Sequence, residues 1–80
     1  MSLKSEIQIQ FGQRLKEFRK ARGYSQEGFA AHCGLDRTYI GGIERGLRNV
    51  SLRNIGLIAK ALDISVAELM QGIDGETNCG

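Results

Sequence analysis

Three consecutive side chains, Arg37-Thr38-Tyr39, stand just after a glycine turn at Cys33-Gly34-Leu35 and open a helix that Asp36 can cap. A guanidinium fork can hold O6 and N7 of a guanine, and a threonine can offer its hydroxyl to a base edge or its methyl to thymine. Arg37 and Thr38 are therefore the candidates for base readout. Tyr39 suits the sugar–phosphate backbone or packing at a groove wall. Arg45, Arg48 and Asn49 follow the same helix and can clamp phosphates, contacts that position without reading sequence. Gln26 opens the preceding short helix, where free N–H groups and the positive dipole end favour a phosphate. Gly41 and Gly42 lie mid-helix between Ile40 and Ile43. Each is worth roughly 1 kcal/mol against a helix. Their expected use is on an outward face, where a bare backbone allows close approach to another surface.

That inventory recognises a ligand and transforms none. The chain has one histidine, His32, and no nucleophile–base pattern, phosphate loop or metal-ligand spacing, so no catalytic residue, metal or cofactor is expected. His32 beside Cys33 cannot build a metal site. Cys33 sits on an apolar helix face and reads as a small buried hydrophobe, while Cys79 falls near the C-terminus.

The elements that must position these groups are all helical. Apolar residues recur at helical spacing, there is no proline, and no alternating strand pattern occurs. A first helix is expected over about 7–22, with Ile7, Phe11, Leu15 and Phe18 as its apolar stripe and Gly23 as a left-handed stop. The second covers about 26–33 behind the cap Ser25, and the third about 37–45. Ser51 caps a fourth, about 52–62, with Leu52, Ile55, Ile58, Ala59 and Leu62 inward. Ser65-Val66-Ala67-Glu68 is a capping box opening a last helix to about 71. The fold class is all-α: one compact five-helix domain spanning residues 1–80, ordered over about 7–71, with a frayed tail at 72–80.

Eighty residues make one domain with a marginal core, and such domains often gain stability by pairing. The net charge of +2 is unevenly spread: residues 1–62 hold all 11 bases and five of the nine acids, a balance of +6. The four acids after Leu62, with no base among them, leave an acidic end. A basic body with an acidic end fits a DNA-facing surface and a second surface facing elsewhere. No signal peptide or membrane-length apolar run is visible, so a reducing, cytoplasmic setting without membrane contact is expected.

The combined pattern resembles the phage-repressor-like (Xre, or Cro/C1-type) helix-turn-helix family over about 11–70. The residues carrying it are Gly12 through Arg22, Gly23-Tyr24-Ser25-Gln26-Glu27, Gly34-Leu35, Ile43-Glu44-Arg45-Gly46 and Ile58-Ala59-Lys60-Ala61-Leu62. The stretch from Asp36 to Arg45 looks like the recognition helix of restriction–modification controller proteins, with Gly28 and Gly41 departing from the more usual Glu and Ser. The resemblance implies a compact five-helix domain that binds double-stranded operator DNA, usually as a two-fold homodimer. It also implies that Gln26 meets the DNA backbone and that Arg19 and Glu44 form a structural ion pair.

The dimer surface is expected on the last helix, where Ile64, Val66, Leu69, Met70 and Ile73 offer more apolar side chain than one short helix can bury. A free-standing DNA-binding domain leaves no room for a small-molecule sensor, so concentration is its available input, and autoregulation follows. The rival reading is an antitoxin or protein-binding module of the same fold, since fold alone does not settle function. Arg37, Thr38 and the basic segment from Arg45 to Asn49 favour DNA.

Overall fold

The computed structural model describes residues 6–74. Five helices follow in chain order: α1 (Glu6–Ala21), α2 (Gln26–Cys33), α3 (Arg37–Glu44), α4 (Leu52–Ala61) and α5 (Val66–Met70). No strand occurs among the described residues.

The chain marks its own helix boundaries. Ser25, Asp36, Ser51 and Ser65 each hold an extended backbone and accept a hydrogen bond from an N–H of the helix that follows. Each of α1 to α4 then stops in the same hydrogen-bonded turn, the Schellman motif. In α2, Leu35 N–H donates to the Ala30 carbonyl and Gly34 N–H to that of Ala31. In α3, Leu47 and Gly46 donate to Gly42 and Ile43 in the same way. Gly34 and Gly46 hold the left-handed conformation this turn requires, with φ of 75° and 76°. In α4 a non-glycine residue, Asp63, takes that conformation at φ 59°.

The core gathers Phe11 and Leu15 of α1, Phe29 and Ala30 of α2, Ile40 and Ile43 of α3, Ile58, Ala59 and Leu62 of α4 and its end, and Leu69 of α5. Two residues expected inward are not. Leu52 is 80% exposed and Ile7 is 39% exposed. Both stand in the first turn of a helix, where the side chain leans back toward the N-terminus and past the core.

α1 is the common partner, packing against α3 on one side and α5 on the other. At the α3 crossing the backbones nearly touch: a Cβ on Gly12 would collide with the Ile43 carbonyl oxygen and stand 2.9 Å from that of Glu44. At the other side, Arg14 donates through Nε to the Leu69 carbonyl (3.2 Å) and through a terminal nitrogen to that of Glu68, capping the end of α5. Its guanidinium also lies 4.9 Å from the Phe18 ring centroid.

Residues 72–74, expected to fray, are held against α1. Asp74 N–H donates to Gln10 Oε1 (3.0 Å), Gln10 Nε2 donates to the Asp74 carbonyl (3.3 Å), and Ile73 is half-buried. These bonds pair both backbone groups of Asp74 with the side chain of one α1 residue. Residues 75–80, with Cys79, lie outside the described residues.

Two glycine substitutions should separate close packing from helix propensity. Gly12→Ala pushes a Cβ into immovable backbone and is expected to destabilise by about 1–3 kcal/mol or more. Gly56→Ala, inside α4 with nothing within 4 Å of the new methyl, should stabilise by about 0.5–1 kcal/mol. Chemical denaturation monitored by helical circular dichroism reads both.

Candidate nucleic-acid interface

α2 and α3 meet through the Gly34 turn, and the first turn of α3 projects from the body. Asp36 Oδ1 accepts the Thr38 N–H at 2.7 Å, which fixes where α3 begins. Arg37 and Thr38 are both exposed there. Arg45, Arg48 and Asn49 are exposed at the far end of α3 and in the loop beyond it.

Glu44 is an acid inside this basic surface, and the structure neutralises it. Arg19 Nε and a terminal nitrogen donate to the two carboxylate oxygens of Glu44 at 2.6 and 3.0 Å. The side chains are only 7% and 3% exposed. The third guanidinium nitrogen donates to the Tyr24 carbonyl (2.7 Å), and Gln26 Nε2 donates to Glu44 Oε1 (3.0 Å). Among the described residues no buried side-chain nitrogen or oxygen lacks a partner. A buried pair is tolerable only when its remaining hydrogen-bonding capacity is met in this way. Gln26 is thus anchored inward through its amide, with one amide proton still free to face a ligand.

Tyr39 is half-buried, and Asn54 Nδ2 donates to its hydroxyl oxygen at 3.1 Å. The hydroxyl, an acceptor in that bond, keeps its own proton. Nothing in the spacing of Tyr39 and Asn54 announces this pair, because the turn ending α3 and the capped start of α4 bring them together. Tyr24 also acquires partners the sequence does not announce, stacking on His32 with centroids 5.3 Å apart and meeting Phe29 edge-on at 5.5 Å.

Two expectations are corrected. Gly41 and Gly42 do not offer bare backbone to an outside surface: both are buried. A Cβ on Gly41 would stand 3.3 Å from a terminal nitrogen of Arg45 and 3.6 Å from Gln26 Oε1, and one on Gly42 would stand 2.9 Å from Arg48 Cγ. The chain's own long side chains fold back over them. Leu69 is wholly buried in the core of the single chain, so it cannot face a second copy. Val66 is 41% exposed, while Ile64, Met70 and Ile73 are half-buried at the core's edge.

No group of three or more potential metal ligands occurs among the described residues. Burial pushes the Cys33 thiol up to about 11, which keeps it protonated and weakly nucleophilic near neutral pH. Among the described residues no helix is long and apolar enough to cross a membrane.

The arrangement is two short capped helices, a left-handed glycine between them, and a projecting arginine and hydroxyl flanked by cations. Comparisons with known proteins agree with it. The helix-turn-helix family profile matches residues 15–69. The chain is 48% identical over 73 residues to control protein C.MunI of a Mycoplasma species, covering 90% of this chain and 99% of that one. Among solved structures it is 60% identical to the restriction-modification controller protein C.AhdI from Aeromonas hydrophila, with a TM-score of 0.76 over 78% of this chain and 94% of that one. It also resembles SinR, master regulator for biofilm formation, solved in complex with DNA: 37% identity, a TM-score of 0.73, and coverage of 76% and 98%.

Removing Glu44 alone should leave the Arg19 guanidinium buried without its counter-charge. Glu44→Ala is expected to lower unfolding free energy by about 3–5 kcal/mol. Glu44→Gln, which keeps an acceptor for Arg19, should lose less. Equilibrium urea denaturation of the three chains checks the order.

Proposed function

This chain belongs to the helix-turn-helix family and is a DNA-binding transcription regulator; from that premise we propose that it works as a homodimer on an inverted-repeat operator, as the autoregulatory controller of a restriction–modification system. The observation that carries the reading is the exposed first turn of α3, with Arg37 and Thr38 outward and Asp36 fixing the helix start behind them. In this reading α3 enters the major groove. Arg37 takes the O6 and N7 of a guanine, and Thr38 takes a neighbouring base edge. Gln26, Tyr39, Arg45, Arg48 and Asn49 sit on the flanking phosphates. Glu44, neutralised by Arg19 and Gln26, adds no repulsion.

The similarity to controller proteins supports the restriction–modification role. The dimer reading rests on Val66, with Ile64, Met70 and Ile73 beside it, on the acidic end of the chain. That surface lies on α5 and its flanks, while the DNA-facing groups lie on α2, α3 and the loop after α3. Two copies joined there present two α3 helices to one face of a duplex. Concentration then becomes the input, because pairing and loading on adjacent sites convert protein level into occupancy. No cofactor or small-molecule ligand enters the reading, and its setting is the cytoplasm.

Selection from a random duplex library should return an inverted repeat with half-site centres about one helical turn, roughly 10 bp, apart. Arg37→Ala should lose preference at one base position per half-site, by roughly 1–3 kcal/mol. Single-copy sites only would contradict the two-fold reading, and an unchanged base ranking for Arg37→Ala would place Arg37 on phosphate instead.

A further inference from the structure

Gly41 and Gly42 are an uncomfortable pair for a helix of eight residues. Each lowers helix stability, and neither sits at a turn. The surface around Gly42 shows what the second glycine does. The Schellman turn that ends α3 donates Leu47 N–H back to the Gly42 carbonyl at 2.9 Å. This returns the next residue, Arg48, over the helix it has just left. The stem of Arg48 then lies across Gly42: an ideal Cβ there would be 2.9 Å from Cγ, 3.2 Å from Nε and 3.6 Å from Cδ. The guanidinium carbon ends 5.7 Å from the centroid of the Tyr39 ring. Tyr39 precedes Gly42 by three residues and so shares its helix face. Asn54 holds the Tyr39 hydroxyl from α4. A slot with a glycine floor and an aromatic wall therefore seats one arginine.

We infer that Gly42 is a positioning residue for DNA binding: it seats Arg48 against Tyr39 and so fixes the direction in which that guanidinium meets a phosphate. The inference rests on the placing of Arg48 on the DNA backbone proposed above and deepens it. A free surface arginine must give up its rotamer freedom when it binds, and one already laid in a slot gives up less. The Cγ contact decides that any larger residue breaks the slot. Cγ lies near the root of the side chain, so Arg48 cannot clear a methyl by moving its far end alone. Gly41 differs, since its nearest neighbour is the tip of Arg45, which can swing away. The slot also explains why a residue unfavourable to helices stands inside the DNA-facing helix, because alanine would favour α3 and unseat Arg48.

The test sets stability against binding. The probe is a labelled mixed-sequence DNA duplex at low salt, read by fluorescence anisotropy, since a phosphate contact needs no operator. Gly42→Ala is expected to melt at or above the wild-type temperature yet bind about fivefold more weakly, the size of one side chain's ordering. Arg48→Ala should bind at least as weakly. The double variant Gly42→Ala/Arg48→Ala should bind no worse than Arg48→Ala alone, because the glycine acts only through the arginine. Wild-type affinity in Gly42→Ala, or independent losses that multiply in the double variant, would overturn the assignment. Should Gly42→Ala fold poorly, its effect in the Arg48→Ala background decides. Recovery of the fold there supports the slot, and persistent loss means that Gly42 supports the helix packing instead. If Arg48→Ala itself binds like wild type, the phosphate placing of Arg48 fails, and the assignment falls with it. If only Gly42→Ala binds like wild type, the assignment alone falls.

Discussion

A single buried guanidinium holds the helix-turn-helix to its scaffold. Arg19 stands near the end of α1 and satisfies three acceptors at once: both carboxylate oxygens of Glu44 at the end of α3, and the Tyr24 carbonyl in the turn before α2. Gln26 at the start of α2 completes the set through Glu44. Three helices and one turn thus share a charge pair that water barely reaches. Ion pairs of this kind add little net stability relative to apolar packing, but they are exacting about geometry. Here the geometry they enforce is how α2 and α3 stand relative to α1, and every side chain exposed on those two helices inherits it. The absence of a side chain at Gly12 makes the same crossing sterically possible. Charge and close packing therefore fix the same end of α3 from two points along α1.

How much of this could be read in the sequence depended on whether the physics was local. Helix starts were legible because a serine or aspartate caps the very helix it precedes, and Ser25, Asp36, Ser51 and Ser65 all do so. Helix ends at Gly23, Gly34 and Gly46 were legible for the same reason. The end at Asp63 was not, since aspartate takes a left-handed backbone seldom enough that sequence does not announce it. Periodicity placed most of the core and misplaced Leu52 and Ile7, because it gives the face of a residue and not its distance from the end of the helix. The Arg14 and Gln10 contacts with the C-terminal end join partners more than 50 residues apart, beyond any local pattern.

Within the candidate site, Arg37 and Thr38 were legible as exposed polar residues at a capped helix start. The glycines were not. Their composition pointed to close approach, which is correct in kind and wrong in partner: what comes close is Arg48 and Arg45 of the same chain. A bare position invites whichever side chain can reach it, and only the path of the loop after α3 says which one that is. Leu69 shows the converse. Its apolar character was plain, but a five-residue helix lying between α1 and α4 spends its best hydrophobe on its own core.

The hydrogen bonds between Gln10 and Asp74 close the chain into a ring, joining residues 64 apart in sequence. Closing so long a loop is entropically unfavourable, though its free-energy demand grows only logarithmically with length. Because α1 carries both this clasp and the Arg19 pair, the first helix cannot come away without withdrawing support from α5 and from the helix-turn-helix together. The domain then has few routes to partial unfolding. Amide protons in α3 and α5, at opposite flanks of α1, would exchange with solvent through the same global opening and at a common rate limit. Damage to the first helix would therefore be felt at both ends of the domain, far from where it was done.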